Sequence, residues 1–98
     1  MPAYFFVDIL EITDESKMEE YRSKVVETVQ QYNGRYVVLG GQYEQVEGDW
    51  CPKFPVLIEF ADKDQVKRWY NSPEYQAIVT SRLEGTRSNA VILEGLLA

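Results

Sequence analysis

A chain of 98 residues that is 45% hydrophobic, 13% aromatic and 27% charged has the composition of one small folded globule. Its net charge of −6 argues against nucleic acid or an anionic membrane surface as the main partner. With zero histidines, a Ser-His-Asp triad, a Cys-His dyad, His-ligated zinc or haem iron and an imidazole pH switch are all excluded, so no metal or cofactor is expected.

Cys51 is the single cysteine, which leaves no intrachain disulfide and fits a reducing compartment. The opening MPAYFFVDILEI lacks the basic flank and small-residue cleavage site of a secretion signal, and no apolar run approaches the ~18 residues that cross a bilayer. The cytoplasm is the expected location, with no membrane partner.

Residues 3–12 (AYFFVDILEI) are aromatic and β-branched and read as a strand. Phe5, Val7 and Ile9 share one face, and Tyr4, Phe6, Asp8 and Leu10 the other. Both faces are largely apolar, so both call for cover. Thr13-Asp14 offers a helix N-cap, with Glu15 placed to complement the dipole. Met18, Tyr21, Val25, Val29 and Tyr32 then recur at three- and four-residue steps, and Asn33-Gly34 supplies the stop, with glycine entering the left-handed region.

Residues 35–46 return to strand character around Gly40-Gly41, where a bulge, a bend or a close approach is expected. Turn formers surround Trp50 over residues 47–53, and residues 54–60 (FPVLIEF) form a third strand. Asp62 caps a short helix carrying Val66, Trp69 and Tyr70. Ser72-Pro73 restarts it, with Tyr75, Ile78, Val79 and Leu83 as its apolar stripe and Gly85 as its end. Residues 88–96 close the chain as a fourth strand.

The order βαββαβ predicts an α+β, ferredoxin-like plait over residues 1–98 as a single domain, with an antiparallel sheet ordered 4-1-3-2 and the helices on one face. The opposite face, bearing Tyr4, Phe6, Leu10 and Leu57, needs its own cover, and a second copy in a homodimer supplies it.

The segment Tyr32-Asn33-Gly34-Arg35-Tyr36, then Gly40-Gly41, Glu47-Gly48-Asp49-Trp50, Ile58-Glu59-Phe60, WYNSPEYQ from Trp69 to Gln76, Arg82 and Arg87-Ser88 together resemble the domain-of-unknown-function 1330 family. The resemblance covers essentially the whole chain. It implies a dimeric α/β barrel in which two ferredoxin-like sheets face each other around a small cavity, and it brings no established reaction. Leu39 departs from it, standing where members often carry an arginine before the glycine pair. The resemblance therefore implies a different or more weakly held ligand if that arginine binds an anionic group.

Candidate site residues follow from strand parity. Asp8 and Glu59 fall on the face away from the helices, on neighbouring central strands. Two carboxylates in an apolar cavity would raise one pKa toward the range of a general acid or base, and the alternative is a carboxylate paired with arginine at the rim. Tyr4 and Tyr36 join them if the second strand points Val37 and Leu39 toward the helices; otherwise they are core aromatics with a polar tip.

Gly40 and Gly41 could admit a ligand against the backbone, although they lack a phosphate-loop pattern and a bulge that bends the second strand explains them better. Trp50 covers the cavity mouth or the partner subunit, and Cys51, with no activating neighbour, reads as an incidental thiol. Arg35, Arg82 and Arg87 could each bind a carboxylate substrate, or pair with one of the 16 acidic residues. The acidic groups at positions 44, 47, 49, 62 and 64 lack calcium-loop spacing.

Two classes of function fit. One is a small-molecule-binding protein or cofactor-free enzyme, with Asp8 or Glu59 relaying protons for isomerisation, decarboxylation or oxidation of a small apolar-bodied compound with a polar tip. The other is a non-catalytic homodimeric structural or interaction module. Polar groups converging in an open cavity favour the first, and a filled apolar interior favours the second.

Overall fold

The computed structural model describes residues 1–96; residues 97 and 98, which the single-domain reading includes, lie outside the described residues. The elements run β1 (Ala3–Ile12), α1 (Glu15–Gln31), β2 (Arg35–Leu39), β3 (Pro55–Phe60), α2 (Lys63–Tyr70), α3 (Pro73–Gly85) and β4 (Thr86–Glu94). The sheet order is β2-β3-β1-β4 with every neighbouring pair antiparallel, which is the ferredoxin-like α+β plait.

The helix starts obey local chemistry. The Asp14 carboxylate accepts from the backbone N–H groups of Ser16 and Lys17 at 3.1 and 3.2 Å. Asp62 accepts from Gln65 N at 2.8 Å, and Ser72 Oγ accepts from Tyr75 N at 3.1 Å with Pro73 in the first turn. At the end of α1 it is Asn33, not Gly34, that takes the left-handed conformation, with φ 61°. Gly34 answers to space instead: a Cβ there would lie 2.6 Å from the Phe60 ring and 2.8 Å from Val29.

The second strand is much shorter than residues 35–46. It stops at Leu39, because Gly40 adopts φ 61° and turns the chain away while its N–H still donates to Pro55 O at 2.7 Å. The Phe54 ring fills the place a side chain at Gly40 would need. The bulge expected at the glycine pair occurs earlier, where the β2–β3 register shifts between Tyr36 and Val38. At the other strands, β3 begins at Pro55 rather than residue 54 and β4 at Thr86 rather than residue 88.

One core fills the space between sheet and helices. Phe5, Val7 and Ile9 of β1 and Val56, Ile58 and Phe60 of β3 face Met18, Tyr21, Val25 and Val29 of α1 and Val66, Trp69, Tyr75, Ile78 and Val79 of α2 and α3. Trp69 sits at its centre, edge-on to Phe5 with centroids 5.0 Å apart, and its indole N–H donates to Thr28 Oγ1 at 3.1 Å. Leu83 was expected in the α3 stripe but is exposed, and Arg82 occupies the buried position. The outer face of the sheet carries Phe6, Leu10 and Leu57 half-buried, with Val91 and Leu93 about half exposed.

Candidate functional site

A cavity of about 290 Å³ opens between α1 and the β2–β3 side of the sheet. Its existence follows from helix placement: α1 packs against α3 and leaves the edge strand β2 uncovered. The bulge completes it. Tyr36 pairs with the inward-facing Ile58 and Leu39 with the inward-facing Val56, so two residues three apart both point into the gap. Val7, Ile9, Val56 and Ile58 supply the sheet wall and Met18, Tyr21, Val25 and Val26 the helix wall. Leu39 and Phe54 stand at its open side, where Leu39 is 59% exposed and Phe54 42%.

Arg82 reaches the same cavity from α3. It is 2% exposed, and no carboxylate lies within 4.0 Å of its guanidinium among the described residues. Nη1 donates to Ser88 Oγ at 2.7 Å, the guanidinium carbon lies 5.8 Å from the centroid of the Tyr21 ring, and Nε has no hydrogen-bond partner among the described residues. Tyr21 and Tyr75 share a hydrogen bond between their hydroxyls at 2.8 Å. Burial, and then the nearness of Tyr75, pushes Tyr36 up to about 12. Burial likewise holds Tyr21 well above the usual phenol value and raises Tyr75. All three phenols are therefore neutral near pH 7, and Arg82 is the buried charge of the cavity. Arg22, at its rim, is half-exposed and occupied by Glu15 and Glu19 at 3.0 and 2.9 Å.

The expected constellation is dispersed. Asp8 and Glu59 do share the outer face, but Asp8 pairs with Pro55 and Glu59 with Tyr4, so four residues of ladder, roughly 13 Å, separate them. Each is occupied. Asp8 is buried and accepts from Lys53 N at 3.0 Å and Phe54 N at 2.9 Å, which clasps the β2–β3 connection to the sheet. Glu59 accepts from Arg35 Nε at 2.6 Å and from Tyr4 Oη at 3.2 Å. Tyr4 thus meets one carboxylate, whereas Tyr36 lies on the opposite face because of the bulge.

Trp50 packs edge-on against Phe6 at 6.3 Å and rims a second hollow, of about 320 Å³, on the outer face with Asp8, Leu10, Cys51 and Asn89. The Cys51 thiol donates to Gln45 Oε1 at 3.1 Å. Arg87 forms an exposed pair with Glu11 at 3.5 Å, away from either hollow. Gly40 meets its own chain's Phe54, and nothing approaches the position of a Gly41 side chain within 4 Å. Among the described residues, no group of three or more Cys, Asp or Glu is placed to hold a metal ion.

Sequence reasoning does not reach Tyr21 or Phe54 as site residues, and it reaches position 39 only through the family resemblance. Tyr21 is indistinguishable from a core aromatic at helical spacing. Arg82 did carry a signal: it continues the 75, 78, 79 stripe of α3, and a cation on an apolar face demands an explanation.

A family model for the domain of unknown function DUF1330 matches residues 2–96. The chain belongs to the DUF1330 family. A search of curated proteins found no match. Several solved structures share the fold of this DUF1330 chain. One is the RPA0582 protein of unknown function from Rhodopseudomonas palustris, with a TM-score of 0.75 at 14% identity over 99% of this chain and 84% of that one. Another is SnoaB, a cofactor-independent oxygenase from Streptomyces nogalater, with a TM-score of 0.69 at 13% identity over 99% and 95% of the two chains. A dimeric ferredoxin-like protein of unknown function from Bacteroides fragilis gives 0.62 at 13% identity over 96% of each. At these identities the likeness concerns the fold alone.

Proposed function

We propose that this DUF1330 chain binds a small organic molecule in the cavity between α1 and β2, and that it works as a homodimer joined through the outer faces of its sheets. The observation that carries the reading is the cavity itself: a mostly apolar space of about 290 Å³, close to the lower size of small-molecule sites, with a few polar groups converging on it. The site differs from the one expected between facing sheets. It lies on the helix side and takes Arg82, Tyr21 and Tyr36 in place of the Asp8–Glu59 pair. We assign Asp8 to holding the β2–β3 connection and Glu59 to the sheet-edge network with Arg35 and Tyr4.

Two features support the homodimer. The outer face leaves Val91 50% and Leu93 47% exposed beside Phe6, Leu10 and Leu57, and a protein of this fold from Bacteroides fragilis is dimeric. In an enzymatic form Arg82 holds a substrate that enters already as an anion, because the cavity lining carries no carboxylate to take up a proton and its phenols stay neutral near pH 7. SnoaB, a cofactor-independent oxygenase, gives the fold a precedent for chemistry without a cofactor.

The test is an NMR titration with a library of one- and two-ring aromatic compounds, alongside a Val25→Trp variant that fills the cavity. Ligand-induced shifts should gather at Tyr21, Val25, Tyr36 and Leu39 and vanish in the variant. Shifts gathered at Phe6, Trp50 and Val91 would move the binding site to the outer-face hollow, and no binding at all would transfer the case to the non-catalytic module.

A further inference from the structure

We infer that the ligand is a monocarboxylate with a compact apolar body, seated with its carboxylate on Arg82; this rests on the cavity reading above and names its ligand class. A guanidinium stays charged at every accessible pH, and an uncompensated charge in a protein interior is strongly unfavourable. The salt bridges of this protein lie elsewhere. Arg22 has Glu15 and Glu19, Arg35 has Glu59, Arg87 has Glu11 and Lys17 has Glu84. These four cations are all substantially exposed, where pairing matters least. Arg82, at 2% exposure, is the one for which pairing matters most, and it has a serine hydroxyl, the nearby Tyr75 hydroxyl and the face of Tyr21, all of them neutral.

The guanidinium geometry defines the missing group. With Nη1 engaged by Ser88, Nε is left buried without a partner, and a carboxylate that enters beside that edge of the planar fork is held through two parallel N–H···O bonds. Tyr36, neutral near pH 7 and lining the same cavity, is a second donor to an anion. One charge is matched by one charge. A dianion would bring a second, uncompensated charge among Val7, Val25, Val56 and Ile58, in a protein that already carries −6. The apolar walls and the volume select the body, of one or two rings or a short branched chain. Leu39 stands at the open side of this cavity, so the cation for the anion is provided from the floor by Arg82 and not from position 39.

Paired probes of one shape separate the possibilities. The purified protein is titrated with 2-naphthoate and 2-naphthamide, and with benzoate and benzamide, following the backbone amides of Tyr36 and Leu39 and the Arg82 Nε–H resonance. Each acid should bind at least about tenfold more tightly than its amide, as expected of a charge-assisted hydrogen bond in place of a neutral one, and should move the Nε–H signal. Arg82→Met should bring the acid-to-amide affinity ratio to about one, and Arg82→Lys should keep part of the preference. Equal binding of acid and amide overturns the anion assignment and leaves the cavity reading standing. An acid preference that survives Arg82→Met overturns the role of Arg82. No binding by any of the four probes overturns both readings. Should Arg82→Met fail to fold, the acid-to-amide ratio and the Nε–H shift of the unaltered protein decide the question.

Discussion

The two faces of the sheet treat charge in opposite ways. On the outer face the carboxylates are satisfied: Asp8 accepts two backbone N–H groups and Glu59 an arginine and a tyrosine, while the apolar side chains around them lie open. On the helix face the apolar side chains are closed into a core and the single buried cation lacks a counter-ion among the described residues. Burial alone makes Asp8 and Arg82 look alike. Partnership separates them: a buried charge whose bonding capacity is used holds structure together, and one with capacity left over beside a cavity is placed for something that arrives later.

The contrast can be pressed from both sides. The largest effect belongs to the helix-face core. Trp69→Ala should lower unfolding free energy by about 3–5 kcal/mol, through lost burial and the cavity left behind. Urea unfolding read against the same substitution at the rim tryptophan, Trp50, should show a far smaller loss for Trp50, which is 68% exposed. On the outer face, Val91→Glu places a charge where the second subunit would sit. Light scattering should show the dimer weakened by about a hundredfold or more, which corresponds to about 2.8 kcal/mol. A monomer mass for the unaltered protein at micromolar concentration would remove the dimer from the account.

Asp8→Ala comes next, at about 1–3 kcal/mol, because it leaves the N–H groups of Lys53 and Phe54 without their acceptor. Hydrogen exchange should quicken at those two amides first, with ligand titration at the opposite face changed only through Phe54, which lines the cavity. A loss of binding without loss of stability would return Asp8 to the site.

The phenols give the pH dependence. Tyr21, Tyr36 and Tyr75 all have raised values in the folded state, so the folded protein holds more protons than the unfolded chain above pH 10. Their contribution to stability should be flat below about 10 and be lost as pH rises through about 12, the value for Tyr36. Tyr36→Phe should reduce that loss in thermal melts taken at successive pH values. Smallest of all is Arg87→Gln, whose exposed pair with Glu11 at 3.5 Å should contribute no more than about 0.5 kcal/mol to thermal stability.

Much of the fold was legible because it is written in short-range chemistry. Alternation in β1 and β3, the caps at Asp14, Asp62 and Ser72, and Pro73 after Ser72 each act within a few residues. The order of elements then leaves few topologies, and the ferredoxin-like one occurs. The misreadings arise where a long-range contact decides. Gly40-Gly41 looks like a bulge in a long strand until the Phe54 ring, fourteen residues on, is seen to fill the place of its side chain. Tyr36 follows the wrong parity because one extra residue at position 37 cannot be read from RYVVL. Asp8 and Glu59 share a face, as parity requires, yet parity says nothing of distance along the ladder.

By itself, then, the sequence determined the elements, their order, the absence of histidine chemistry, and a largely apolar outer sheet face. Each is a matter of composition or of neighbours within one or two turns. Only the tertiary structure decided that α1 leaves β2 uncovered, that Arg82 rather than Leu83 turns inward, and that the serine six residues beyond it takes one nitrogen while another stays free. Those outcomes depend on how three helices share one face of a four-stranded sheet, and that competition for space is not recorded in any local stretch of residues.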